Sequence, residues 1–195
     1  AGESDADLVV DAKIDKLVGF DQTTLSKAAI SVLARGGVVQ KVTLDGDFPR
    51  GPVSMSYKDE GADGADLDLE SSDAGSLIGF IDLYRRMNGG RLTLTGSRQG
   101  ASGPFSGVFD VTSFSIVGEP SMQRLVSATT GSGPDATRTG VDPNNVPFDR
   151  MRLEYTKRGS RIVIEDAVLR GASAGATLDG TLDLGKQRIS LAGTY

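Results

Sequence analysis

The side chains that could do chemistry in this sequence are nearly all carboxylates. Asp66 and Asp68 stand two apart, Asp179 and Asp183 four apart, and Asp63, Asp66, Asp68 and Glu70 form a local acidic cluster. Two carboxyls facing each other across a cleft could hydrolyse a glycosidic bond, one as acid and one as base or nucleophile. A cluster of carboxylate oxygens could hold calcium. Neither pattern is specific here. Carboxylates that alternate along a strand ordinarily form its solvated face. The acidic cluster lacks the Asp-x-Asp-x-Asp-Gly order of a calcium loop and the nonapeptide of calcium-binding β-helices.

The rest of the catalytic repertoire is missing. The 195 residues include no histidine and no cysteine, so the usual general base, the commonest transition-metal ligand and any thiolate or disulfide are excluded. A serine or cysteine triad cannot be assembled. No serine precedes a lysine by three positions, and no P-loop or Gly-x-Gly-x-x-Gly occurs despite 26 glycines. Catalytic residues, metal ligands and cofactors are therefore all assigned as none, and the chain is expected not to be an enzyme. A net charge of −5 with a pI near 4.8 disfavours a phosphate backbone as partner, so nucleic acid is not expected.

What remains is the positioning framework. Leu8, Val10, Ala12 and Ile14 alternate with polar residues, which is the period of a strand. "GFDQTT" reads as a turn. Residues 25–34 have helical propensity, but the following Arg35-Gly36-Gly37 and the alternating Val42 and Leu44 favour a hairpin. Val53, Met55 and Tyr57, then Leu67 and Leu69, form two strands around an acidic hairpin loop at 58–66. Residues 108–117 read as a strand with imperfect apolar parity, consistent with a bulge. From residue 148 onward four alternating segments make an antiparallel meander, while 129–147 are small, polar and turn-rich and read as a flexible loop.

Two segments break the strand rhythm. In "DAGSLIGFIDLYRRMNGG", Leu77, Phe80, Ile81 and Tyr84 recur at helical spacing. Ser72 or Asp73 can cap the start, and Asn88-Gly89-Gly90 supplies a stop, which predicts a helix over about 73–87. Pro120, Met122, Leu125 and Val126 suggest a second short helix at about 120–128.

The expected fold is mainly β, with residues 1–195 as one domain. It is a curled, elongated antiparallel sheet with one or two short helices packed on or capping its apolar face. Two helices are too few to cover every strand. The sheet must fold over on itself as a sandwich, or curl and leave a groove for another apolar body. The candidate groove residues are Leu92 and Leu94, Leu153 and Tyr155, Ile162 and Ile164, Leu178 and Leu182, and Ile189 and Leu191. Leu77, Phe80, Ile81 and Tyr84 are the candidate cap.

The order of these elements resembles a known family. "DAGSLIGFIDLYRRMNGGRLTL", "GVFDVTSFSIVGEPSMQRLVS" and the meander ending "TLDGTLDLGKQRISLAGTY" are similar to the C-terminal region of bacterial AsmA-like envelope proteins, nearest their YhdP-like branch. The segment "VDAKIDKLVGFDQTTLSKAAISVLARGGVVQKVTLDGDF" is similar to the repeat that precedes the helix there. The resemblance implies a periplasmic protein of Gram-negative bacteria, anchored to the inner membrane by a part outside this segment. It implies an apolar β-groove that conducts phospholipids between the inner and outer membranes by shielding their acyl chains, without catalytic residues. A start at Ala1 without methionine fits a segment of a longer chain. An edge strand could also pair with a protein partner. The alternative expectation is a closed, non-catalytic structural or assembly β-sandwich of the envelope.

Overall fold

The computed structural model describes residues 7–121, 123–124, 142–172, 175–186 and 188–194. Its strands are β1 (Leu8–Val18), β2 (Thr24–Arg35), β3 (Val38–Phe48), β4 (Gly51–Asp59), β5 (Gly64–Ser71) and β6 (Met87–Gln99). They continue as β7 (Phe105–Val117), β8 (Asn145–Arg158), β9 (Arg161–Arg170), β10 (Gly175–Asp183) and β11 (Arg188–Thr194). One short helix, α1 (Ala74–Phe80), interrupts them between β5 and β6. All the strands join in a single sheet in chain order, each antiparallel to its sequence neighbour. β1 and β11 do not pair with each other, so the curled sheet stays open.

Alternation makes these strands, and short turns set their register. Residues 25–34 lie in β2, where side-chain packing against β1 and β3 outweighs their helical propensity. The register then stacks inward-facing side chains into rungs across the sheet. Leu69, Leu94, Phe109 and Leu153 form one rung; Ser71, Leu92, Val111 and Met151 form the next.

Beyond Val111 the inward parity changes. Gly89, Phe114 and Phe148, then Met87, Ile116 and Val146, are the next paired rungs, yet the pairing sums are unchanged. All three strands spend one extra residue at the same level, with Ser113 at φ 55°. The imperfect parity of 108–117 is therefore a crease shared by β6, β7 and β8. It is not a bulge in one of them.

Around the crease, beneath α1, the concave face is filled. Leu25, Phe48, Val53, Leu77, Ile78, Leu92, Val111, Phe114, Val146 and Phe148 form one buried cluster. Phe48 meets Phe80 edge-on at 5.6 Å, and Phe114 stacks on Phe148 at 5.5 Å. α1 reaches the sheet closely because it carries Gly75. A Cβ there would stand 2.5 Å from the Met87 carbonyl oxygen.

The helix is shorter than the stripe Leu77, Phe80, Ile81, Tyr84 suggests. It ends at Phe80, and Asp82 takes the left-handed conformation at φ 58°. The Asp82 N–H donates to the Gly79 carbonyl at 3.0 Å and the Leu83 N–H to Ile78 at 3.0 Å, a Schellman ending. Ile81 and Tyr84 therefore lie outside the helix. Asn88, Gly89 and Gly90 are not its stop, because pairing with β7 draws them into β6.

Two further boundaries move. Residues 145–147 belong to β8 and not to a loop, since Val146 pairs with Ile116 and is fully buried. The 58–66 loop contracts to 60–63, flanked by β4 and β5. Of the expected helix at 120–128, Pro120, Ser121, Gln123 and Arg124 have helical backbone; Met122 and residues 125–128 lie outside the described residues. So do residues 129–141 of the expected flexible loop.

Candidate functional site

Beside the buried cluster the same concave face is not filled. An apolar cavity of about 640 Å³ lies along β5 to β10, within the range that holds small ligands. Alternation places its walls: the inward-facing residues that line it are mostly leucine, isoleucine, methionine and aromatic residues. Leu94, Leu153, Tyr155, Ile162, Ile164 and Leu182 all line it. They come from four strands distant in sequence, brought together by the register Leu94–Phe109–Leu153 and Tyr155–Ile164, with Leu182 beside Ile162.

The other groove candidates sit elsewhere. Leu92 is 2% exposed and belongs to the packed core, one rung below the cavity. Leu178 is half-buried on β10 beside Ala167, outside the cavity lining. Ile189 and Leu191 are 69% and 47% exposed on the edge strand β11, where Ile189 pairs with Leu182 and Leu191 lies against Gly180. They extend the apolar face past the cavity as a lip.

The cap residues divide in the same way. Leu77 is buried in the core, while Tyr84 lines the cavity. Phe80 and Ile81 face a separate shallow recess with Leu17, Val18 and Phe20. The residues that close the cavity against α1 are Ile78 and Leu83 with Tyr84. Ile78 and Leu83 are the two residues joined by the Schellman bond, so the helix ending itself turns them towards the trough. The helical stripe misses both; a hydrophobic pair across an αL residue was the available signal.

Two tyrosines fix the ends. The Tyr84 hydroxyl donates to the Glu119 carboxylate at 3.0 Å, and Glu119 also faces Arg86 at 3.5 Å. Burial, then the Glu119 hydrogen bond and its charge, pushes the Tyr84 phenol up to about 12. The Tyr155 hydroxyl donates to the Thr95 carbonyl at 3.2 Å, and burial raises its pKa. To reach Thr95, Tyr155 crosses β7 and lies over β6 at Gly96, where a Cβ would stand 2.5 Å from the hydroxyl and 2.3 Å from the Phe105 ring. Glycine at 96 lets two aromatic rings lie flat at this end of the trough.

The carboxylates do other work. Asp66, Asp68 and Glu70 are exposed on the opposite face of β5 from Leu67 and Leu69. Asp179 accepts the Asp166 N–H at 3.0 Å, and Asp183 accepts the Lys186 N–H at 3.0 Å. They hold a β-bulge and a turn. Among the described residues no acidic group is placed to hold a metal ion, and no helix is long and apolar enough to cross a membrane.

No family model matches the chain, and neither a curated protein nor a solved structure is significantly similar to it.

Proposed function

We propose that this chain shields the acyl chains of lipids in the trough of its curled sheet and so supports their passage through water. The observation that carries the reading is the wall chemistry of the 640 Å³ cavity, an almost uninterrupted hydrocarbon surface inside an otherwise charged, acidic molecule. A lipid acyl chain exposed to water costs about 0.8 kcal/mol per CH₂, so one long chain costs roughly 10 kcal/mol. A trough of leucine, isoleucine and phenylalanine removes most of that cost without a nucleophile or cofactor.

Dimensions support the same ligand. From Lys157 to Met151, both in the lining, is six residues of β8, or roughly 20 Å of strand. One leaflet's hydrocarbon is about 15 Å deep, half of a 30 Å core. The resemblance to AsmA-like proteins extends the reading to a setting: a periplasmic segment, tethered to the inner membrane from outside the segment, that serves phospholipid movement between the membranes.

A photoreactive residue at Ile164, inside the trough, should crosslink to lipid in cells, and native mass spectrometry of the purified chain should carry phospholipid mass. The same residue at exposed Asp68 should not crosslink. Absence of lipid from both Ile164 and the purified chain would leave the closed structural-module reading in its place.

A further inference from the structure

The trough is hydrocarbon along its length but not at its open end. The last inward-facing rung runs Asp59, Ala65, Arg98, then Phe105, Lys157 and Ile162. Lys157 is on the same face as Leu153 and Tyr155. Its stem lines the apolar cavity, and it also lines a second cavity of about 470 Å³ just beyond. Leu67 and Phe105 are shared between the two in the same way, so the cavities adjoin. The outer one adds Arg98, Arg158 and Ser102, from β6, the end of β8 and the β6–β7 turn.

Charge at this end runs against the charge of the whole chain. Arg98 is bonded to Asp59 at 2.7 Å, yet its Nε is buried without a partner. Lys157 and Arg158 form no ion pair among the described residues. Asp59 is the only carboxylate on the inward rung, set against Arg98 and Lys157 there and Arg158 beside them. A hydrocarbon stem along the wall with its ammonium at the lip is the way lysine meets an apolar–aqueous boundary. Guanidinium and ammonium groups with a nearby hydroxyl are the donors that phosphate oxygens take.

We propose that the outer cavity is a head-group site for an anionic phosphate whose acyl chain lies in the trough. Lys157 and Arg158 supply the charge, and Arg98 and Ser102 supply further donors. The site gives the trough a polarity: chain end towards α1, head towards the β6–β7 and β8–β9 turns. This inference rests on the acyl-chain reading of the trough, and its test separates the two.

Binding of didecanoyl phosphatidic acid, didecanoylglycerol and inorganic phosphate would be measured on the purified chain and on a Lys157→Glu/Arg158→Glu variant. Both substitutions are at exposed positions. The expected result is that phosphatidic acid binds at least tenfold more tightly than didecanoylglycerol. The variant abolishes that advantage, and its circular dichroism and melting temperature, matched to those of the native chain, report that it is folded. Inorganic phosphate alone should compete only weakly. Equal affinity for the two lipids, or an unaltered preference in the variant, would overturn the head-group site and leave the trough reading standing. Inorganic phosphate competing as well as the lipid would overturn the amphiphile in favour of a free-anion site. Failure of the native chain to bind either lipid would overturn the trough reading itself.

Discussion

Asp110 shows how the convex surface is held. It projects from β7 away from the trough, where Arg150 of β8 donates to both its oxygens and Arg152 approaches at 3.5 Å. The Arg150 hydrogen bond holds the Asp110 carboxyl below the usual carboxylate range. A depressed folded pKa stabilises the protein above the unfolded value of about 3.9 and loses that contribution as pH falls through the folded value. Arg150 is half exposed, so the pair contributes about 1 kcal/mol or less. Asp110→Asn should lower the melting temperature by about 2–4 °C or less at pH 7. The difference should shrink as the pH of both melts is lowered below the unfolded value. Charges of this kind were legible as solvated faces from alternation alone. Their partners were not, because Asp110 and Arg150 are forty positions apart and meet only through the β7–β8 register. Arg98 is a similar case: in sequence it is one scattered cation, and only the register places it on the rung with Lys157.

At the scale of elements, α1 is the piece that makes one end of the trough solid. Its seven residues are too few for a stable isolated helix, so burial of Ala74, Leu77 and Ile78 must hold it. Amides of residues 77–80 should therefore exchange as slowly as those of central β6 and β7. Gly75→Ala should put a methyl group against the Met87 carbonyl, costing about 1–3 kcal/mol, and should accelerate exchange in α1 before it does so in β9 and β10. Fast exchange in native α1 would contradict its role as a plug. The existence of this helix was legible from the change in apolar period and the Asp73 cap, whose carboxylate accepts the Ser76 N–H at 3.2 Å. Its end was not. Asn88-Gly89-Gly90 is the stronger stop signal in sequence, but strand pairing takes those residues and Asp82 supplies the left-handed turn.

At the scale of the molecule, the consequence is a one-sided sheet with two unlike halves of its concave face. At the α1 end the helix and large side chains fill it; towards the β6–β7 and β8–β9 turns the same alternation leaves a trough. Period-two patterning identified the apolar face. It could not tell Leu92 from Leu94, which share parity and differ only in that Leu92 faces the plug and Leu94 the empty trough. It also could not tell the covered strands from the lip at Ile189 and Leu191, because edge position decides exposure there. The natural absence of tryptophan gives a direct test of the central claim. A single Phe109→Trp reporter would sit in the trough wall, and a Ser97→Trp control on the opposite, exposed face. Titration with phospholipid brominated on its acyl chain should quench the reporter at Phe109 and spare the control at Ser97. Equal quenching at both positions, or none at Phe109 with lipid demonstrably bound, would contradict an acyl chain lying in the trough.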